Sequence, residues 1–159
     1  MQLSTYIRAV LSVVFVTCLL VPAGQAQTTS STSEQALLGA VNDVRTAHGL
    51  RPLRVDTTLA RAARDYSTTL IRRNVFTHGA LAPRLARYRA RGPLYGENLA
   101  WGKGDRATAR GIVRGWLASP GHRANLLRPG WTRIGIGARV GAFRGYSGVT
   151  VVTADFAGS

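Results

Sequence analysis

Three residues in this chain can do acid–base or metal chemistry and have no ordinary local role. They are His78, Glu97 and His122. The remaining histidine, His48, falls in the last turn of a helical pattern that stops at Gly49, where an imidazole suits the negative helix end. His78 lies in the apolar stretch VFTHGA, 75–80. Glu97 lies between Gly96 and Asn98 in LYGENLAWG, 94–102, and His122 follows a Pro-Gly pair in WLASPGHRANLL, 116–127. A carboxylate in an apolar segment is costly to bury unless it is paired. Two imidazoles are natural partners for it, or all three can share a metal ion. Separations of 19 and 25 residues fix no geometry by themselves. On the residues alone, one three-residue site and three separate structural roles both stay open.

The elements that would position these residues are legible from period and punctuation. Ser33 is the expected N-cap of a helix starting at Glu34, with Ala36, Leu37, Ala40, Val41 and Val44 on its inner face. Asp56 caps a second helix. Leu59, Ala62, Ala63, Tyr66 and Leu70 face inward from it, Arg61, Arg64 and Asp65 face outward, and it ends near Asn74. PRLARYRAR, 83–91, reads as a short helix with Pro83 in its first turn, ended by Gly92 and Pro93. LYGENLAWG reads as a strand or extended arm. Asp105 opens a further helix with Ile112, Val113, Trp116 and Leu117 inside, ended by a turn at Ser119-Pro120-Gly121. ANLL, 124–127, follows as a single helical turn. RIGIGARV, 133–140, and YSGVTVVTADF, 146–156, joined by the Gly-rich GAFRG, predict an antiparallel hairpin. Trp101, Trp116 and Trp131 could line a groove, and the reading taken is core. Helices early and strands late indicate an α+β domain.

The opening segment is read separately. Arg8, the apolar run AVLSVVFVTCLLV at 9–21 and the small residues Gly24 and Ala26 have the pattern of a secretory signal peptide over 1–26. The polar QTTSSTS, 27–33, is an expected flexible linker, and 34–159 the folded domain. The expected location is therefore outside the cell. Cys18 is the sole cysteine, so cleavage leaves a chain whose stability rests on a hydrophobic core without disulfides. Lys and Arg total 21 against 7 Asp and Glu, a formal charge of +14. No nucleic-acid recognition motif accompanies this charge, and the arginines are spread along the chain. The reading is a solvated basic surface, with anionic envelope polymers and lipid head groups as the partners it would meet.

FTH (76–78), YGENLAWG (95–102), GWLASPGHRANLL (115–127) and IGIGARV (134–140) occur in this order, and together they resemble the signature segments of the CAP superfamily. That is the cysteine-rich secretory protein, antigen 5 and pathogenesis-related 1 group, here in its bacterial secreted, SCP-like branch. The resemblance spans roughly 34–156. It implies a three-layer α-β-α sandwich with a central antiparallel sheet, and a cavity lined by two histidines and acidic residues. By that likeness the family histidines fall on His78 and His122 and the acid of the G-E-N segment on Glu97. The Pro-Gly turn would then aim His122 at the cavity. Many eukaryotic members carry a second glutamate before the last histidine; RGIVRGWLASPGH, 110–122, contains no acid. Asn98 and Asn125 are read as ties for loop backbone, and Ser119 and Gly121 as shaping the turn.

Three functions follow as expectations. The first is a secreted binding module whose cavity takes a divalent metal, Zn²⁺ before others, through His78, His122 and Glu97, or a lipid-like, sterol or envelope ligand. The second is a hydrolase in which the same residues activate a water, or Ser119 acts as a nucleophile if it lies within about 3 Å of His122. The third is envelope adhesion through the basic surface, including peripheral membrane contact.

Overall fold

The run Ser-Thr-Ser-Glu at 31–34 sets where the fold begins. The computed structural model describes residues 31–158, so the expected leader and most of the linker lie outside the described residues. The first helix, α1 (Thr32–Ala47), is capped by Ser31 and not by Ser33. Ser31 Oγ accepts from the Glu34 N–H at 3.3 Å, and Glu34 Oε2 accepts from the Ser31 N–H at 3.0 Å. This reciprocal pair needs the acid three residues after the cap. It draws 31–33 out of the expected linker and into the helix start. At the other end the His48 ring Nδ1 lies 2.8 Å from the Val44 carbonyl.

Glu34 also overturns one expectation for the second helix, α2 (Thr57–Arg73), which Asp56 caps. Arg64 does not face solvent. Its Nε and Nη2 donate to the Glu34 carboxylate at 3.0 and 2.6 Å, and both residues are buried. Burial alone would raise the Glu34 pKa. Hydrogen bonds from Arg64 and from the Ser31 and Ala138 N–H groups outweigh it and hold the carboxyl below its usual range. Glu34→Ala strands the Arg64 charge and the Ala138 N–H together, and should lower unfolding stability by about 3 kcal/mol in urea melts. An unchanged midpoint would refute this account.

The sheet has the order β1-β3-β4-β2, from β1 (Arg54–Val55), β2 (Leu94–Gly102), β3 (Trp131–Phe143) and β4 (Tyr146–Gly158). All pairings are antiparallel except the two-residue β1, which lies parallel to β3. The β3–β4 hairpin is longer than its apolar pattern indicates. It turns on Arg144 and Gly145 alone, at φ 51° and 83°, the doubly left-handed turn that matches strand twist. A bulge between Gly141 and Phe143 absorbs the extra residue.

Both sheet faces are covered, which makes a three-layer α-β-α sandwich. On one face α1, Leu53, α4 (Ala109–Ala118) and α5 (Pro120–Leu126) pack on Ile134, Ile136, Val152, Ala154 and Phe156. On the other, α2 and α3 (Leu81–Arg87) pack on Leu99, Val149, Val151 and Ala157. The helix α2 lies so close to β3 that a Cβ at Gly135 or Gly137 would come within 2.1 or 2.3 Å of its backbone. That contact gives the Ile-Gly-Ile-Gly run its physical reason.

Three further boundaries differ from expectation. Asp105 sits in a 3₁₀ turn, Gly104–Ala107, and α4 starts at Ala109 under the Thr108 cap, whose Oγ1 accepts from Gly111 N–H at 3.0 Å. The helix expected over 83–91 runs over 81–87, and Arg89 at φ 57° takes the chain out of it. Ser119-Pro120-Gly121 is not a free turn. Pro120 opens α5, which extends back four residues from the expected helical turn at Ala124. Proline fits a first helical position because its missing N–H would have no partner there.

Candidate functional site

His78, Glu97 and His122 come from three elements and converge at one edge of the sheet. His78 is in the loop between α2 and α3, Glu97 is on the edge strand β2, and His122 is in the first turn of α5. The loop is pinned by Tyr66, whose hydroxyl donates to the Thr77 carbonyl at 2.7 Å. His78 Nδ1 lies 2.7 Å from Glu97 Oε1. The His78 and His122 ring centroids are 6.3 Å apart.

Each position of the Gly-Glu-Asn segment serves a different end. A Cβ at Gly96 would meet Asn125 Oδ1 at 2.5 Å and the Trp131 ring at 2.7 Å, so only glycine lets α5 sit this close to β2. Glu97 enters the site. Asn98 Nδ2 donates to the His122 carbonyl at 3.0 Å, and Asn98 Oδ1 accepts from Asn125 Nδ2 at 3.0 Å. Trp131 Nε1 donates to the Asn125 carbonyl at 2.7 Å. From behind, the buried Arg45 donates to the Leu126 and Arg128 carbonyls at 2.9 and 3.1 Å. His122 is therefore held by a clamped helix rather than aimed by a turn. Gly121 is exposed, and an added Cβ there meets no atom within 4 Å.

Ser119 makes no capping bond to α5. Its Oγ lies 3.0 Å from His122 Nδ1 instead. Burial, and secondarily the neighbouring His78, push the His122 pKa down, so its imidazole is neutral at pH 7. Both histidines thus engage Nδ1, and neither Nε2 has a partner among the described residues.

Two functional residues escaped the sequence reading. Arg84, on α3, donates through Nη2 to Glu97 Oε2, to Asp155 Oδ1 at 2.9 Å, and through Nη1 to the His78 carbonyl at 3.2 Å. Its guanidinium lies 3.7 Å from the centroid of the Tyr66 ring. Nothing local distinguishes it from the chain's many other arginines. Asp155, on β4, pairs with Glu97 in the β2–β4 register and is fully buried. Burial pushes its pKa up to about 8; Arg84 opposes this and the Glu97 charge adds to it. Asp155 therefore holds its proton to higher pH than a free carboxyl does. The rule that singled out Glu97, a carboxylate in an apolar segment, also fits Asp155 in VVTADF.

Ser119 and His122 line one end of a cleft of about 670 Å³ between β2 and α4, which runs past Phe76, Leu99 and Trp101 to Arg106; His78 and Glu97 are not in its wall. Its wall is mixed, apolar side chains with Asp105, Arg106 and Arg114 among them, and a largely apolar cleft with a few placed polar groups is the usual constitution of a ligand site.

Residues 38–156 match the family described as CAP, cysteine-rich secretory protein family. The chain belongs to this family. It is similar to the protein YkwD of Bacillus subtilis, 32% identical over 117 residues that cover 70% of this chain and 44% of that one. It is also similar to pathogenesis-related protein 1C of Nicotiana tabacum, 36% identical over 87 residues, 54% of this chain and 44% of that protein. Among solved structures, an extracellular SCP-domain protein of Bacillus anthracis aligns with TM-score 0.68 and 30% identity, covering 80% of this chain and 40% of the other. Schistosoma mansoni venom allergen-like protein 4 shares the fold at TM-score 0.61 and 14% identity, covering 82% and 91%. The chain spans less than half the length of the curated relatives it matches. As a CAP domain it departs from the cysteine-rich character that names the family, since its one cysteine, Cys18, lies outside the described domain. No described helix is long and apolar enough to cross a membrane.

Proposed function

We propose that this CAP domain is an exported binding module whose ligand enters the cleft and meets His78 and His122 at its polar end. The observation that carries this reading is the orientation of the two imidazoles. Each is anchored at Nδ1, by Glu97 or Ser119, and each keeps Nε2 without a partner among the described residues. A carboxylate on the far nitrogen is the usual backing of a metal-binding histidine. The donor set fits a divalent metal, Zn²⁺ before others, held by two imidazole nitrogens and completed by water or ligand. Glu97 then backs His78 rather than joining it, since its two oxygens are already engaged by His78 and Arg84. Among the described residues no three His, Cys, Asp or Glu side chains form a ready metal-holding group. The metal is accordingly a two-histidine proposal, and the apolar cleft is where a lipid-like or envelope ligand would lie.

Calorimetric titration of Zn²⁺ into chelator-stripped protein tests it. One-to-one binding is expected, weakened at least about 100-fold in the His78→Ala, His122→Ala variant. Equal binding by that variant, in a folded protein, would remove the metal and leave a metal-free pocket.

A second reading rests on one contact. Ser119 Oγ at 3.0 Å from a neutral imidazole is within reach of a serine–histidine pair, in which His122 Nδ1 takes the hydroxyl proton as Oγ attacks a carbonyl. No described group orients His122 from Nε2, which sets this pair apart from a triad. On ester and peptide panels, Ser119→Ala and His122→Ala should then each abolish turnover. Turnover retained by either variant would sink the hydrolase reading.

A further inference from the structure

The end of the sheet remote from β1, where the cleft runs out past Trp101 to Arg106, carries a feature that extends beyond the cleft. Five large hydrophobic residues are exposed among the described residues, namely Val55, Val75, Trp101, Val140 and Tyr146. Four of them lie at this one end. Trp101 is next to last in β2 and Tyr146 is first in β4 after the hairpin turn. Val140 lies just before the turn on β3, and Val75 just beyond α2, whose Asn74 Oδ1 accepts from the Arg144 N–H at 2.7 Å. Clustering of four of the five exposed large apolar side chains of the described residues at one end marks a surface that meets something.

The cluster is ordered. Trp101 and Tyr146 stack at 6.4 Å between centroids, and Trp101 meets Phe143 edge-on at 5.8 Å. Phe143 is held in turn by Phe76 at 6.3 Å. Phe143 is fully buried and works as a footing, while Trp101 is 39% and Tyr146 59% exposed. The rings are thus presented rigidly at the surface.

The same end is cationic. Arg72 and Arg73 close α2, Lys103 and Arg106 follow Trp101, and Arg144 forms the hairpin turn. All five are exposed, and none makes an ion pair among the described residues. Asp105 is the acid in these segments. Aromatic rings with polar edges settle at the level of lipid head groups, and unpaired cations around them are drawn to an anionic leaflet. Neither feature alone requires a bilayer. A soluble polyanion uses the cations and leaves the apolar side chains wet, and a neutral apolar partner leaves the cations unmatched. The two together fit a surface that is anionic outside and apolar just beneath.

We infer that this end of the domain, with Trp101 and Tyr146 inserted and the five cations around them, docks on the surface of an anionic bilayer. Trp101 and Arg106 also line the outer end of the cleft, while Tyr146 and the other four cations lie outside it, so the test is run without metal or any added cleft ligand. The test uses the exported protein with vesicles of equimolar phosphatidylglycerol and phosphatidylcholine, and with phosphatidylcholine alone. Trp116 and Trp131 are each only 2% exposed, so a change in tryptophan emission reports Trp101. Expected are co-sedimentation with the anionic vesicles, a blue-shifted emission quenched by brominated acyl chains, and at least about tenfold weaker partition for Trp101→Ala, Tyr146→Ala. Trp101→Phe should keep most of the partition and lose the emission shift, which guards against a folding defect in the double variant. All variants share one N-terminus, so any contribution of the leader cancels. The inference is overturned by no partition, by equal partition on phosphatidylcholine, or by full partition of the double variant. Partition with unchanged emission would also overturn it, since a charge-only contact with lipid or polymer leaves Trp101 in water.

Discussion

Arg84→Met should lower the stability of this domain by about 3–5 kcal/mol at neutral pH, a large part of the margin of a domain this size. The reason lies in what the guanidinium touches. It donates to Glu97, to Asp155 and to the His78 carbonyl, and it covers the Tyr66 ring. The Glu97 and Asp155 side chains are 2% and 0% exposed. Removing the cation leaves the buried Glu97 carboxyl with the His78 ring as its one remaining side-chain partner among the described residues. Arg84→Lys keeps the charge but cannot reach two carboxylates and a carbonyl with one fixed fork, and should recover less than half of the loss. Urea melts of the three proteins at neutral pH decide the matter. A loss below about 1 kcal/mol would mean that water already solvates the pair.

The scaffold was legible because its signals are local. Asp56 before Leu59, the alternation through 133–156, and a Gly-Glu-Asn segment amid apolar neighbours each state their element within a few residues. Misplaced boundaries arose where two local signals competed. Ser31 and Ser33 both precede Glu34, and only the spacing to the acid separates them. Pro120 serves equally to end α4 and to begin α5, and the packing of Leu126 with the Arg45 clamp decides for the second.

The site was half legible for a related reason. His78, Glu97 and His122 are rare or misplaced types, and the order of their motifs resembles a family. Arg84 is a common type in an ordinary helical position. Its role exists only because α3 packs across the edge of the sheet, a contact between segments far apart in sequence. Asp155 obeyed the rule that found Glu97 and was hidden by its strand, since a polar residue in an alternating run is taken to face water. Here both faces of β4 are covered, and no position in 151–158 faces solvent.

That covering makes Asp155 the most direct test of the site's electrostatics. Its pKa stands near 8 in the folded protein against 3.8 for the free side chain. Between these values the unfolded chain has released the proton and the folded chain keeps it. The folded state binds more protons there, so the Asp155 contribution to stability falls as pH rises from about 4 to about 8, by up to ~1.4 kcal/mol per pH unit, and is flat on either side. Asp155→Asn removes this titration. The amide oxygen can still accept from Arg84 Nη2, and the amide N–H₂ takes the position of Asp155 Oδ2, which has no partner among the described residues. The variant should be more stable than the parent at pH 7 by on the order of 2–4 kcal/mol, and its stability should depend less on pH across that window. If instead Asp155→Asn is destabilising at pH 7 and the slope persists, Asp155 is ionised in the folded state. Arg84 would then neutralise two charged carboxylates, and the cavity would carry one more negative charge toward His78 and any cation it receives.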